Sequence, residues 1–543
     1  MKNLQESSCS WSSKEFPASP VTLSTAASQE KPFTPPVKEP FKPDLKDAVF
    51  AVLVFLLGFL FARWVLFYWQ GWGVTAFTVA YCSIITFYLL KKNVAIPREG
   101  WFWLTIVLLN GLSFSLWTNN GLEPWRSLLL FFSGVYWIIC TTGLPLLGKT
   151  SNWIALDYIN GLLFIPFKNL STQYISLAIL RKEKGTKKSN VFSVILGLLL
   201  AIIVGGMIIP LLIEADSGGF AKITNGILIH FQGIEAQLTE LIFNGIIGIP
   251  IAAYIFALVA GSVHKRGCAT FKNESIQKKL TSLRFIPAIT IYTLLITVCG
   301  LYVVFIGSQM PYFFSAFFGE RPEGWLVYSE YARSGFFELC YIAAINLSLL
   351  TAANLLNKKS PGSSSLLKIL NCLLALLTLL LIATALSKML MYIEVYGLSV
   401  RRLLPSLFLI FLAVICSGVV ALQKWQFSIL RLAAGMGAIM LCLLCLSNPD
   451  GFTARYNAGR YLAGTLPGFD VTILNRGGPA GVEAALQVYD KSDDPVLKEQ
   501  LQNYLVNQQQ RSEFYSGRSW DNWEQKKARE KTAELPGRFR LTP

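Results

Sequence analysis

The chain has 543 residues, of which 53% are apolar and only 15% charged, with a formal net charge of +16. Soluble domains carry about 25% charged residues, and uncharged apolar runs of about 20 residues match the hydrocarbon core of a bilayer. This excludes an ordinary soluble multidomain protein, and it places the basic excess in cytoplasmic loops rather than on nucleic acid.

Residues 1–46 hold seven prolines among Ser, Thr and Lys without apolar periodicity, which predicts a disordered N-terminal arm. The first apolar run begins near Ala48, too late for a cleaved secretory signal, and reads as a retained span. The expected fold is all-α: a polytopic transmembrane helix bundle over residues 47–446, followed by a small soluble helical domain over 447–543. About eleven spans are predicted, near 48–68, 72–90, 101–118, 127–147, 191–213, 241–261, 285–307, 335–356, 366–386, 403–423 and 429–446. The apolar-polar mixture from Trp153 to Leu180 predicts an interfacial helix near 153–180 rather than another crossing. In the fifth and sixth spans, Gly205-Gly206-Met-Ile-Ile-Pro210 and Asn244-Gly-Ile-Ile-Gly248-Ile-Pro250 are candidate helix breaks. Such breaks line binding sites in transporters, and more often they adjust packing.

Lys and Arg outnumber those of the alternate loops about threefold in the set that includes Lys91, Lys92, Lys182, Lys265, Arg266 and Lys358. The N-terminus is therefore expected inside and, after an odd number of crossings, the C-terminus outside. The loop at 388–402, with Lys388, Arg401 and Arg402, votes against its own placement. From Asp450 onward the tail has 13 Lys+Arg against 12 Asp+Glu, so it has little net attraction for anionic partners. Helical spacing over 479–489 and 495–509, with Asp494 as cap and Pro495 in the first turn, predicts a helical hairpin. Trp520 and Trp523 are expected to pack on it or on lipid headgroups.

Charges gather at predicted span ends. Glu330, Arg333 and Glu338 precede the eighth span; Lys388, Tyr392, Glu394 and Arg401 follow the ninth; Arg455 and Asn457 follow the last. Gly397 suits a helix end and Ser399 a new cap. One reading is a set of ordinary boundary residues, acids at helix N-termini and snorkelling bases. The other is an outer-face layer that docks the tail or a ligand, with Glu338 facing Arg333 or Lys388.

Catalytic constellations are scarce. The two histidines, His230 and His264, are predicted on opposite faces, there is no phosphate loop or GxGxxG, and Asp493-Asp494 reads as capping. No catalytic residue, metal site or cofactor is assigned. The cysteines fall mostly inside apolar runs, so no disulfides are expected, and Cys442-Leu-Leu-Cys445 reads as buried small residues.

Ile213-Glu-Ala-Asp216 with Phe220, Glu330-Tyr-Ala-Arg333-Ser-Gly335-Phe-Phe-Glu338-Leu, Met391-Tyr392-Ile-Glu394-Val-Tyr396-Gly397-Leu and Ala454-Arg-Tyr-Asn457 resemble a bacterial polytopic family. That family is catalogued as domain of unknown function 4173, with a related group numbered 4153, and the resemblance spans roughly residues 45–490. It implies a bacterial cytoplasmic-membrane protein and no established activity. The expected function is non-enzymatic: a charged outer face couples the bundle to an extracytoplasmic domain for docking of a membrane or envelope protein, envelope sensing or assembly, among membrane lipids. The alternatives are a transporter or lipid-handling protein using spans 5 and 6, and a membrane-surface enzyme using Glu330, Glu338 and Glu394.

Overall fold

The computed structural model describes residues 41–146, 150–183, 234–266, 284–317, 336–357, 365–425 and 427–533. The fifth predicted span, its Gly205, Gly206 and Pro210, and Glu330, Arg333 and His230 lie outside the described residues. The described residues are overwhelmingly helical, with no named strand. They form α1 (Leu45–Trp64), α2 (Gly71–Lys91), α3 (Arg98–Leu116), α4 (Glu123–Thr141), α5 (Ile154–Ile159), α6 (Ile165–Asn169), α7 (Thr172–Glu183) and α8 (Ile234–Val263). Then come α9 (Ala288–Phe317), α10 (Phe336–Leu356), α11 (Ser365–Tyr396), α12 (Val400–Leu422) and α13 (Ile429–Leu446). The C-terminal part is α14 (Pro449–Leu462), α15 (Val471–Gly477), α16 (Val482–Lys491), α17 (Pro495–Tyr515) and α18 (Trp523–Thr532).

Seven helices among the described residues are long and apolar enough to cross a membrane: α1, α2, α11, α12, α13, Thr239–Val263 of α8 and Ala288–Ser308 of α9. The helices at the predicted third and fourth spans, α3 and α4, are not among them, and each carries two charged residues in its first turn. In α10 the apolar stretch is the shorter Glu338–Asn354. Ile289, Leu301 and Val304 of α9 are strongly exposed, as apolar groups are where lipid is the solvent.

Two large cores hold the described part of the bundle, with a smaller cluster of Leu122, Leu444 and Cys445 at the end that carries the C-terminal helices. The first joins α1–α4 and α8, with Phe50 stacked on Tyr88 at 4.0 Å and against Phe256 at 5.5 Å. The second joins α9–α12. Within it Tyr302 donates to Asn346 at 2.7 Å and Asn346 to Thr378 at 2.9 Å, tying three helices together at buried positions. Helix α13 packs on α3, α4 and α12 and so touches both halves.

The Gly and Pro residues of the sixth predicted span do not interrupt it: α8 runs unbroken through Asn244, Gly248 and Pro250. Gly248 instead lets α8 meet α1. A Cβ on Gly248 would lie 2.8 Å from the Phe59 nitrogen, and a Cβ on Gly58 would collide with the Gly248 carbonyl oxygen. Small residues at such a crossing allow two backbones to approach, which is how helices associate where lipid removes the hydrophobic driving force.

The segment at 153–180 forms α5–α7 joined by one π turn at Asn160–Phe164, packed on α8 and α1. Gln173 donates to the Ala51 carbonyl at 3.1 Å, Tyr254 to Leu162 at 2.9 Å and Asn169 to Arg266 at 3.2 Å.

Helices α14–α18 have their own core, in which Ala458, Leu474, Val488, Leu501, Tyr504 and Leu505 are buried. Asp494 accepts from the Val496 nitrogen at 2.9 Å, and Pro495 opens α17, as the cap-and-proline pattern requires.

Candidate functional site

The C-terminal helices meet the bundle along one end, and the polar groups concentrate on that seam. It is built first by the loop between α3 and α4. Trp117 Nε1 donates to the Leu446 carbonyl at 2.9 Å, and Asn119 Nδ2 to Cys445 at 2.7 Å. These are carbonyls that the end of α13 cannot satisfy internally. Arg126 is fully buried and donates to the carbonyls of Trp117 at 2.8 Å and Thr118 at 3.0 Å, with its guanidinium 4.0 Å from the Phe114 ring. A cation there also opposes the partial negative charge at the α3 C-terminus.

The tail answers with Glu524, which is 5% exposed. Its carboxylate accepts from the Thr118 backbone nitrogen at 3.0 Å and from Asn448 Nδ2 at 2.6 Å. Asn448 sits in the left-handed region (φ 51°) between α13 and α14, and its Oδ1 caps α14 by accepting from Gly451. Asn522 caps α18 and donates to Thr118 Oγ1 at 3.2 Å. Trp523 packs edge-on to Trp117 at 5.4 Å. Thr118 and Asn448 thus each bridge bundle and tail. Burial holds the Glu524 carboxyl above its ordinary range, against relief from Thr118 and Asn448.

Asp450 is the second buried acid. Burial pushes its carboxyl up to about 6 from 3.8, against relief from the Gly121 N–H and the Arg126 charge. A raised native value means the native state holds the proton more tightly than the unfolded chain does. The stability this provides is complete below about pH 4 and is lost as pH rises through about 6. In Asp450→Asn, thermal unfolding in detergent micelles should lose part of that slope, and the variant should be the more stable protein at pH 7.5, by about 2 kcal/mol.

Two further contacts complete the seam. At the turn joining α11 to α12, Asn457 accepts from the Leu398 nitrogen and donates to the Leu398 carbonyl, both at 2.7 Å. Gly397 (φ +77°) leaves room for it: a Cβ there would lie 2.7 Å from Asn457 Oδ1. Gly397→Ala should therefore cost about 1–2 kcal/mol, from the left-handed backbone and the displaced amide pair, measured as the urea midpoint of the purified protein. At the start of α2, Trp72 and Gly73 donate backbone N–H groups to the carbonyls of Asp521 (2.9 Å) and Ser519 (2.8 Å), and Trp520 packs edge-on to Tyr68 at 3.6 Å.

The charges that the sequence grouped are disposed differently. Arg402 lies over the Tyr392 ring at 4.3 Å and donates to the carbonyls of Tyr396 and Gly397. Arg460 donates to the Glu394 carbonyl at 2.7 Å, while the Glu394 side chain is exposed. Arg401, Arg455 and Glu338 are exposed, and Lys388 is half-buried with the Glu338 charge acting on it. Ser399 is the residue before α12, and its side chain makes no capping bond. The contacts at this turn are made by guanidinium and amide groups on backbone carbonyls.

Sequence reasoning placed Asn448 in the polar layer after the last span but missed Arg126, Thr118, Asn119, Asn522 and Glu524 as seam residues. An arginine in the first turn of an otherwise apolar run was the available signal. It also missed a second polar node at the far end of α1. There the Asp44/Asp47 capping box receives Lys92 (2.9 and 2.8 Å), Tyr88 OH (2.6 Å) and His264 Nε2 (3.1 Å), with Asp47 fully buried. Glu99 at the start of α3 pairs with Arg431 at 2.7 Å and accepts from Thr150. Among the described residues no group of three or more His, Cys, Asp or Glu side chains is arranged to hold a metal ion.

Seven helices among the described residues that are long and apolar enough to cross a membrane, packed around apolar cores with a helical cap fastened to one end, define a multi-pass membrane protein of the helix-bundle class. A family model described as domain of unknown function (DUF4153) matches residues 104–488, and the chain belongs to that family. The match is to the 4153 group, the relative of the 4173 family that the motifs resemble, and it does not support the 4173 name. No curated protein and no solved structure matches.

Proposed function

We propose that the protein is a non-enzymatic coupling device of the bacterial cytoplasmic membrane, in which the helical cap and the bundle move as one unit. Eleven crossings with the N-terminus inside would put the cap, residues 447–533, on the outer face, where it can dock an envelope protein or report on the envelope. The observation that carries the reading is buried Glu524, which joins the tail to the α3–α4 loop and the end of α13. The contacts at 71–73 and 397–398 extend the grip to two more bundle loops. Three loops and the end of α13 held by one cap give a means of coupling the two halves of the bundle.

Hydrogen exchange on the full-length protein in nanodiscs tests this. In Glu524→Ala, exchange should rise at Trp72–Gly73 and at Leu398 as well as at Thr118, because a cap that acts as a unit lets go everywhere. A rise confined to Thr118 and Asn448 would mean independent contacts and no coupling. Reporter fusions after residue 450 and within 388–402 should both give the non-cytosolic signal; opposite signals would separate the cap from the turn it holds and end the proposal.

A further inference from the structure

Between the two halves of the bundle lies a cavity of about 760 Å³, lined by α4, α10, α12 and α13. Its wall is apolar, and small residues of α13 (Ala433, Ala434, Gly437 and Ala438) provide much of the space. The lining follows α13 from Ala433 to Leu444, a rise of about 16 Å at 1.5 Å per residue. That is roughly half of a ~30 Å hydrocarbon core, the depth of one leaflet. At the end away from the cap the lining finishes on Trp103, Ile154 and Tyr158.

The rim at the cap end is charged. Arg401 precedes the lining residues Leu404 and Pro405 by three and four positions, so it shares their face of α12 one turn nearer the cap. Glu338 precedes the lining residue Tyr341 by three on α10. Both side chains are exposed.

We propose that this cleft is a binding site for one membrane phospholipid, with acyl chain in the slot and phosphate on Arg401. The flanking helices have exposed apolar faces, so the medium around the opening is bilayer. A hydrocarbon slot one leaflet deep with Arg401 at its rim complements a headgroup phosphate above an apolar chain. A partner's transmembrane helix would need the full core thickness, and the lining stops halfway. The proposal goes beyond the coupling role and does not depend on it.

The test uses the full-length protein in vesicles of phosphatidylethanolamine and phosphatidylglycerol, doped with a phosphatidylglycerol that carries a diazirine in its acyl chain. Cross-linked peptides are mapped by mass spectrometry. Labelling at 404–411 and 433–441 should saturate at low mole fraction of probe, while labelling around Leu301 and Val304 rises in proportion to it. Ala434→Phe, which fills the slot, should lower cleft labelling at least tenfold and leave Leu301 and Val304 unchanged. Arg401→Gln, on the exposed rim and safe for folding, should raise the half-saturating mole fraction about fivefold. Proportional labelling in the cleft would mean bulk lipid only. Equal competition by a free fatty acid would remove the phosphate from the proposal. Cross-links from the cleft to residues 191–213 or to a second copy of the chain, without lipid labelling, would overturn it.

Discussion

Glu524→Ala is expected to destabilise the protein by about 3 kcal/mol and to expose the segment around 516–533 to protease while the apolar helices remain assembled. The reasoning rests on what is left behind. The Thr118 N–H and the Asn448 amide both point at this carboxylate, at 3.0 and 2.6 Å, from buried positions. Each buried donor left without an acceptor costs about 1–3 kcal/mol, and the volume vacated by the side chain adds to that. Glu524→Gln should cost less, about 1 kcal/mol, because one oxygen still accepts while the amide nitrogen faces a second donor. Thermal unfolding in micelles and limited proteolysis read the two variants. If alanine and wild type melt together, the contact is incidental and the cap is held by something else.

Gly248→Leu is expected to have a still larger effect, by preventing α1 from docking on α8. The first atom of any side chain at 248 meets the α1 backbone at Phe59 and Gly58, within 2.9 Å. Backbone cannot rotate aside as a flexible side chain can. Overpacking of cores costs about 1–3 kcal/mol where side chains can adjust, so about 3 kcal/mol or more is expected here. Gly58→Ala should behave alike, since its Cβ collides with the Gly248 carbonyl oxygen. By contrast Gly300→Ala, whose Cβ meets nothing within 4 Å, should be neutral or mildly stabilising through helix propensity. Monodispersity on size exclusion and yield from the membrane fraction distinguish the three. If Gly248→Leu behaved like Gly300→Ala, the close crossing would be wrong.

Part of this was legible from the chain alone. Asp494-Pro495 announces a helix start because capping chemistry is local, and α17 begins there. Gly397 at the end of α11 follows from the same locality: a left-handed residue closes the helix, and glycine adopts that conformation without strain. Gly248 and Pro250 show the opposite case. In sequence they read as a break, yet the helix passes through them, because a glycine that weakens a helix by itself also removes the Cβ that would keep α1 away. The charge layer was read from charged and polar residues at the ends of several late spans. Of those residues Asn457 joins the seam, which is otherwise held by Arg126, Asn448 and Glu524, and Glu524 lies 406 positions from its partner Thr118.

The sequence by itself determined that this is a membrane helix bundle, since a bilayer requires long uncharged helices with internally satisfied backbones and composition records that directly. It also determined some helix ends, such as the start of α17 at Asp494-Pro495, because caps act over three or four residues. Only the tertiary structure decided which polar groups face one another, which glycine is a contact, and that a leaflet-deep cleft opens between the halves. Those are pairings between distant segments. Nothing in the local chemistry of either segment names its partner, because the energy of a buried donor depends on an acceptor that only folding supplies.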